Sequence, residues 1–498
     1  MLLRIFCIIS IAVLFCCTSI PLLGQIKPAV PASESLGMGN GTDVLARVGE
    51  KIITVRDFRE RSEFAVRPQS FKNKNIALNN LILEKILTLE AEQETNFAEN
   101  SGMQDMVDGI KEQQMREQLF YEVAYNKVKL IPAELEKAYK LSTREYELEF
   151  YRLPNKKFAN RIQKAIDAAS ERADSLFKEV EEILGKKPVH KTKFDDNDDD
   201  AIHKALYTKA MDPEMVVGPI RLSDGGYIVM KVLKWVDYPL ISGEEQQARW
   251  NKVNGLVRLR KAEEQWHSYQ ASVMKGKRLV FDKHSFEFLS TWAMENYLAN
   301  KHRDTLDIRF TAFAGGKPEI DFGTPFFTLD KKVWTLKDVQ KVLRTHPLVY
   351  RTAVLDSTNF REQFKLAVID LMRDHYLTRA AYRRSLDKHE NVKNTVRMWR
   401  DSFLAAKKAK SIVDTGVTQG IVKRSDERGL SEFWNSHMIA LQQKYGKSVW
   451  INHALLDRLA LTKIDMIALK PGFPYPLEVP QFPAWMVSED FDYATFKK

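Results

Sequence analysis

The sequence predicts an α+β protein that is mainly α-helical, with two related helical units and one small α+β unit inserted into the first. Two observations predict this architecture. The segment KIITVRD that begins at Lys51 returns as KVWTLKD at Lys332. Two further matches follow both segments in the same order, but many more residues separate them in the first copy. An internal duplication explains this order, and chance resemblance between two common strand-to-helix junctions is the alternative.

Each copy is predicted to form a short strand, a turn and the start of a helix. Thr54 precedes Asp57 by three residues, and Thr335 precedes Asp338 by three. This spacing is typical of a capping box, in which the threonine hydroxyl accepts from the backbone N–H of the acidic residue and the carboxylate accepts from that of the threonine. We therefore expect a helix to begin at both places.

The two later matches locate the insertion. In one match, the helical apolar pattern that begins at Leu81 resembles the pattern that begins at Leu371. In the next, the Gly-Lys dipeptide at Gly276 corresponds to the one at Gly446. The first copy contains far more residues between these points, so residues 143–240 are interpreted as the inserted unit.

The length also requires several domains. A chain of 498 residues exceeds the size of a single core, and its 44% hydrophobic and 29% charged residues are ordinary for a globular protein. The predicted division is a signal peptide (1–24), a flexible linker (25–42), a first helical unit (43–142 with 241–283), the inserted unit (143–240), a connector (284–325), a second helical unit (326–470) and a proline-rich C-terminal strap (471–498).

The N-terminus is typical of an exported protein. Arg4 precedes an apolar run that ends at Phe15, and small and turn residues continue to Gly24. The run is too short to span a membrane comfortably, so cleavage and a periplasmic location are predicted. A retained N-terminal membrane anchor is the alternative. All three cysteines lie in this segment, so the mature chain is expected to have neither disulfides nor thiol chemistry.

The net charge of +10 raises the possibility of a nucleic-acid partner. Lys and Arg alternate with Asp and Glu along the predicted helices, as on solvated helix faces. We therefore predict no nucleic-acid partner. In an envelope protein, an excess of basic over acidic residues favours acidic client polypeptides or a weak contact with an anionic membrane surface.

The inserted unit reads as a strand, helices and a closing hairpin. Residues 146–153 alternate as a strand, residues 158–184 have a helical pattern, and Gly225-Gly226 precedes a second apolar strand. Residues 195–200 are acidic. A calcium site is conceivable there, but the glycine and distal glutamate of an EF-hand loop are missing, so a solvated loop is the favoured interpretation.

These residues resemble two parts of one protein family. Gly218-Pro219, followed by Gly225-Gly226-Tyr227 and an apolar strand, resembles the closing hairpin of a parvulin-type peptidyl-prolyl isomerase domain. The repeated strand–turn–helix and the long helix 244–274 resemble the helical lobe of SurA-like periplasmic chaperones, in which a parvulin domain interrupts the lobe. The resemblance implies an exported foldase that binds unfolded envelope or outer-membrane proteins.

The resemblance also identifies candidate site residues. An active parvulin site carries one histidine on the first strand and another after the Gly-Tyr of the last strand. Phe150 and Ile228 stand at those positions here. Without the two histidines, weak or absent isomerase activity is predicted. His190 and His203 lie in the inserted unit but outside the motif, and are interpreted as structural or exposed.

Other chemistry has no support in the sequence. P-loop, dinucleotide-binding, metal-binding and serine-hydrolase signatures are absent, so we predict no cofactor and no metal. Each helical unit is expected to offer an apolar groove to clients. The strap either packs on a core or serves as a ligand for a partner. Two alternative functions are an active peptidyl-prolyl isomerase and a structural subunit that assembles with one fixed envelope partner.

Overall fold

The computed structural model describes residues 41–67, 73–94, 101–168, 170–185, 189–196, 199–222, 225–299, 321–352, 355–461, 467–470 and 472–486. The predicted signal peptide and all but the last two residues of the linker lie outside this part of the chain. Within it, no helix combines the length and the apolar character needed to cross a membrane.

The described residues form helices joined to small antiparallel sheets, so the prediction of a mainly helical α+β protein is confirmed. The helices are α1 (Val55–Glu63), α2 (Lys74–Gln93), α3 (Ser101–Val123), α4 (Pro132–Leu141), α5 (Lys156–Ala168), α6 (Ser170–Leu184), α7 (Asp200–Tyr207), α8 (Gly243–Met274), α9 (Lys283–Ala299), α10 (Leu336–Thr345), α11 (Phe360–Arg383), α12 (Glu390–Thr418), α13 (Glu427–Tyr445) and α14 (His453–Arg458). The strands are β1 (Val44–Val48), β2 (Lys51–Thr54), β3 (Arg144–Leu153), β4 (His190–Lys193), β5 (Val216–Arg221), β6 (Tyr227–Asp237), β7 (Leu279–Phe281), β8 (Pro325–Leu329), β9 (Lys332–Thr335) and β10 (Val449–Ile451).

The strands form three antiparallel sheets among the described residues. Their orders are β10-β1-β2, β4-β3-β6-β5 and β7-β8-β9. The middle sheet belongs to the inserted unit, where β3 leads into α5 and α6, and the β5–β6 hairpin closes the sheet beside β3. The expected order of strand, helices and closing hairpin is therefore present.

Both predicted capping boxes are confirmed. The N–H of Asp57 donates to Thr54 Oγ1 over 3.1 Å, and the N–H of Thr54 donates to Asp57 Oδ2 over 3.0 Å. The corresponding distances at Asp338 and Thr335 are 3.3 and 3.2 Å. Helices α1 and α10 begin directly after these threonines because the caps satisfy N–H groups that have no partner within the helix.

The similarity extends to the backbone around the two caps. The N–H of Val55 donates to the carbonyl of Asp43, and that of Leu336 donates to the carbonyl of Thr324. Each hairpin also carries a register irregularity on its first strand. A duplication would produce such equivalence, and the duplication itself stays a prediction.

The third strand of each hairpin sheet comes from the other predicted copy. Strand β10, after Gly446, pairs with β1, whereas β7, after Gly276, pairs with β8. The registers correspond, since Val48 faces Val449 and Leu329 faces Leu279. The sequence-based division had joined the first hairpin to residues 241–283. The structure differs because strand pairing follows spatial proximity, which the order of repeats along the chain does not reveal.

The predicted connector also differs from the structure. Residues 284–325 include most of α9, whose Leu289 and Ala293 are buried in the second core. That core also contains Phe326 from β8 and Phe360 from α11. The described parts of this segment, residues 284–299 and 321–325, therefore belong with the second helical unit.

The first core joins the beginning of the described chain to its end. Helix α2 packs against α12 and α13, and the described part of the strap, residues 472–486, covers the same core. Buried methionines such as Met398 and Met438 help to fill this core.

Charged groups are buried inside this contact. Lys85 Nζ lies 2.8 Å from Asp401 Oδ2, and their side chains are 7% and 1% exposed. Lys51 approaches the other oxygen of Asp401 at 3.4 Å. Burial raises the pKa of Asp401, but Lys85 and Lys51 lower it more, so the pKa lies below its ordinary value. The ionised pair therefore depends on all three groups.

Asp401→Ala is expected to destabilise the protein by about 3 to 5 kcal/mol, because it removes the nearer counter-charge of the buried Lys85 ammonium and leaves only Glu84, at 3.9 Å. Urea unfolding followed by circular dichroism measures the change. The matched control is Glu432→Ala on the exposed Arg428–Glu432 pair, which should cost about 0.5 kcal/mol or less.

The Lys85–Asp401 pair also predicts that the stability of the protein depends on pH. A carboxyl with a lowered folded pKa contributes stability above its unfolded pKa, and that stability is lost as the pH falls through the folded pKa. The destabilisation caused by Asp401→Ala should therefore shrink in acid. An equal loss at pH 7 and at pH 3 would contradict this assignment.

Candidate functional site

An open groove lies between α4, α8 and helix α7 of the inserted unit. Its volume is about 1000 Å³. Its apolar floor is formed by the half-buried Ala138, Leu256 and Val257 and by the buried Phe194, Tyr207 and Val253. The groove is thus built from three separate parts of the chain.

Helix α8 provides the base on which both walls rest. Val253, Leu256 and Val257 lie at helical spacing on one face, and Arg260 and Lys261 follow on the same side. The helix begins with a capping box at Ser242 and Glu245, close to the start that the sequence predicted. Its length allows one end to hold the inserted unit while the other packs against α11.

Ion pairs fix the inserted unit on α8. Asp195 pairs with Arg249 and Lys252, and Asp200 pairs with Arg260 over 2.8 Å. The acidic run is therefore not simply a solvated loop, because protein cations already hold these two carboxylates. Among the described residues, no group of three or more His, Cys, Asp or Glu side chains is placed to hold a metal ion.

The opposite wall, α4, is held in the same manner. Glu134 forms an ion pair with Lys261, and the Tyr139 and Trp250 rings meet edge to face with centroids 5.5 Å apart. Edge-to-face rings add about 0.5 to 1.5 kcal/mol beyond burial. The groove width therefore depends on how both walls dock on α8.

The groove has a positive rim. Its lining carries six Lys or Arg residues and two Glu residues. Lys204 and Lys261 are paired with those glutamates. Lys127, Lys129 and Lys137 form no ion pair with any residue that the structure describes, and all three are exposed. Three positive charges therefore remain available to an acidic ligand.

His203 is structural. Its Nδ1 lies 2.6 Å from Arg260 Nη2, which can only donate, and its Nε2 lies 2.9 Å from the Phe194 carbonyl oxygen, which can only accept. The ring is therefore neutral with its proton on Nε2. It is buried below the groove floor, between Phe194 and Tyr207.

The structure places Phe150 and Ile228 on one face of the central sheet. Phe150 faces Met230 across β3 and β6, and Ile228 is two residues from Met230. Diagonal neighbours of this kind lie about 7 to 8 Å apart. Ile228 is buried, while Phe150 is half-buried, with its ring edge to face against His190 at 5.3 Å. Both positions belong to the apolar cluster beneath the groove floor.

The sequence suggested an apolar groove on each helical unit, whereas the open groove among the described residues also needs the inserted unit. The first core is covered by residues 472–486. The second contains a crevice of about 20 Å³ beside Leu289 and Phe326, with room for about one water molecule. The open groove lies between the insertion and two helices of the predicted first helical unit, α4 and α8, a position that no local sequence pattern marks. The spacing of Val253, Leu256 and Val257 was the available signal, but it does not say which partner an apolar helix face meets.

Comparison with known proteins gives little further information. No family model matches the sequence, and no curated protein matches it. A crystal structure of foldase protein PrsA from Streptococcus pneumoniae str. Canada MDR_19A aligns with 15% identity over 43% of this chain and 85% of its own, with a TM-score of 0.18. A superposition of this quality supports no conclusion about the fold or the activity.

The carboxyl group of Glu263 makes the stability of the fold depend on pH. It lies on α8 beside the groove, where burial raises its pKa to about 7 and the charge of Asp200 adds to the rise, against Arg260 and Lys204. The folded state therefore keeps a proton between pH 4.5 and 7 that the unfolded state has lost, so this residue makes the fold less stable as the pH rises through that window.

Glu263→Gln should therefore leave stability unchanged near pH 4.5 and increase it above pH 7, because the variant has no buried charge to accommodate. Urea midpoints at pH 4.5 and 8 measure the difference. Glu264→Gln, which removes an exposed carboxylate from the same turn, is the control. Equal effects of Glu263→Gln at both pH values would refute the raised pKa.

Proposed function

We propose that the chain is an exported chaperone that holds unfolded envelope or outer-membrane polypeptides in the groove between α4, α7 and α8. The observation that carries the proposal is the combination of an apolar floor with three rim lysines that form no ion pair with the described residues. In this proposal the groove holds polypeptide by non-covalent contact and neither forms nor breaks covalent bonds. Among the described residues of its lining, none is a histidine, cysteine or aspartate.

The floor suits exposed apolar side chains. Leu256 and Val257 are half-buried, and they lie beside the buried Phe194 and Tyr207 rings. Non-native chains expose aliphatic and aromatic side chains, whose burial contributes about 25 cal/mol per Å². A shallow floor of this kind gives weak binding to each segment, which allows later release.

The rim suits acidic segments of the same clients. Lys127 and Lys129 stand near the start of α4, and Lys137 lies on the helix itself. Long lysine side chains keep their charge in water while their methylenes cover apolar surface. The groove therefore favours stretches in which acidic residues alternate with apolar ones.

Weak or absent isomerase activity is part of the proposal. Rotation about the prolyl bond has a barrier of about 20 kcal/mol, which an enzyme must lower through groups that stabilise the twisted amide. Phe150 and Ile228 present only carbon atoms at the two positions of interest. Both belong to the apolar cluster beneath the groove floor, and the His190 ring also lies against Phe150.

The periplasmic location is proposed from the sequence alone. The apolar run after Arg4 supports export, and the restriction of every cysteine to residues 1–24 agrees with a mature domain that needs no disulfides. A retained anchor would place the same groove beside the membrane.

A structural assembly subunit is the second candidate, because the outer faces of both hairpin sheets are partly apolar. Val280 and Val333 both face Thr328 across the third sheet and are 49% and 51% exposed. Trp450 occupies the corresponding place on the first sheet and is 41% exposed. A fixed partner that packs on either sheet would cover these exposed apolar side chains.

The chaperone proposal predicts that the full chain suppresses aggregation of several unrelated unfolded outer-membrane proteins at near-stoichiometric amounts. Leu256→Asp should raise the amount required about tenfold, because loss of roughly 1.4 kcal/mol of apolar contact changes binding by that factor. Light scattering after dilution from urea measures the effect.

Ile439→Asp provides the matched control, since Ile439 is also an apolar helix residue but lies exposed on α13, outside the groove. It should suppress aggregation as well as the wild type. Equal loss in both variants would exclude the groove as the binding site, and suppression restricted to one client would favour the assembly subunit.

The proposal also predicts that the full chain leaves prolyl isomerisation near its uncatalysed rate of tens of seconds, because Phe150 and Ile228 occupy the two positions where an active parvulin carries histidines. A protease-coupled assay with a proline-containing peptide measures the rate, with an active parvulin as positive control. Robust turnover by this chain would support the active-isomerase alternative instead.

A further inference from the structure

The strap is bound to the first helical unit largely through its backbone. Residues 472–486 form no helix, and one isolated bridge, between Leu469 and Leu477, is the strand pairing described there. The segment nevertheless covers the first core, with Tyr475, Val479 and Phe482 buried. Polar side chains of α1, α2 and α3 supply the bonds that a strand partner would otherwise make.

Asn80 on α2 binds one end of the strap. Its Oδ1 accepts from the N–H groups of Trp485 and Met486 over 2.7 and 3.0 Å, and its Nδ2 donates to the Met486 carbonyl over 2.9 Å. The side chain is fully buried. Its amide group therefore pairs with extended backbone as a neighbouring strand would.

Gln113 on α3 does the same at the other end. Its Oε1 accepts from the N–H of Tyr475 over 2.9 Å, and its Nε2 donates to the Tyr475 carbonyl over 2.7 Å. Between the two amides, Arg61 donates to the Gln481 carbonyl over 2.9 Å, while Glu84 holds its guanidinium through two bonds. All these contacts use atoms that every peptide possesses.

The side chains of the strap add selectivity. Tyr475 enters a space beside Gly109, where a Cβ atom would lie 2.1 Å from its hydroxyl oxygen, and Phe482 enters the first core. Four prolines between these two residues and beside them keep the segment extended and remove N–H groups that would need partners. The surface therefore fits an extended segment with well-spaced aromatic residues and prolines.

We propose that this surface of α1, α2 and α3 is a second peptide-binding site, which residues 472–486 occupy in the resting chain and which an extended segment rich in aromatic residues and proline occupies when it displaces them. As part of the same chain, the strap competes at a high effective concentration, of millimolar order. A free peptide therefore binds the wild type weakly. Loosening the strap uncovers the site.

The test uses the full chain and a fluorescein-labelled synthetic peptide with the sequence of residues 472–486. Phe482→Ala in the chain weakens the resident strap and leaves Asn80, Gln113 and Arg61 unchanged. Fluorescence anisotropy should show at least tenfold tighter binding of the peptide to this variant than to the wild type. A peptide that itself carries Phe482→Ala should not bind. Absence of binding by the folded variant would overturn the proposal.

Hydrogen exchange on the wild type tests the same point without a substitution. Release of the strap predicts that the N–H groups of Trp485 and Met486 exchange at least tenfold faster than those in the middle of α2 and α3. Exchange of both sets at one common rate would show that the strap is a permanent core element and would overturn the proposal. Leu256→Asp, which alters the other groove, should leave peptide binding to the Phe482→Ala chain unchanged, so the two sites can fail independently.

Discussion

The buried contact between Lys85 and Asp401 fixes how two distant parts of the chain pack into the first core. It joins α2, near the beginning of the described chain, to α12, near its end. Two ions leave water only if each compensates the other, so the two helices must keep one relative position. Strand β10 can then reach β1, and the middle of the chain is left to build the second core, α8 and the inserted unit.

That arrangement explains where the open groove lies. Because the C-terminal part of the chain completes the first core, the long helix α8 does not complete it and instead carries α4 on one side and the inserted unit on the other. Ion pairs such as Asp200–Arg260 set the separation of the two walls. The groove is consequently a product of how these elements dock, and three of its lysines, Lys127, Lys129 and Lys137, form no ion pair with the described residues.

Sequence reasoning predicted what local patterns determine. The capping boxes at Thr54 and Thr335, the long helix α8 and the closing hairpin of the insertion each depend on residues close together in the chain. The helical stretch predicted over residues 158–184 forms two helices, α5 and α6, in the structure.

Local patterns do not predict which hairpin β7 and β10 join or where α8 docks, because both depend on contacts between distant segments. The acidic run illustrates the same limit. Asp195 and Asp200 look like a solvated loop or a cation site until Arg249 and Arg260, from a helix some fifty residues later, are placed beside them.

The account rests on a groove that grips non-native polypeptide, and site-directed photocrosslinking tests that claim most directly. A photoreactive amino acid is placed at Gln265 in the groove lining or at the exposed Asn435 on α13, and each chain is mixed with a urea-unfolded outer-membrane protein. The account predicts strong crosslinking from position 265 and little from position 435. Equal yields from the two positions, or none from position 265, would contradict it.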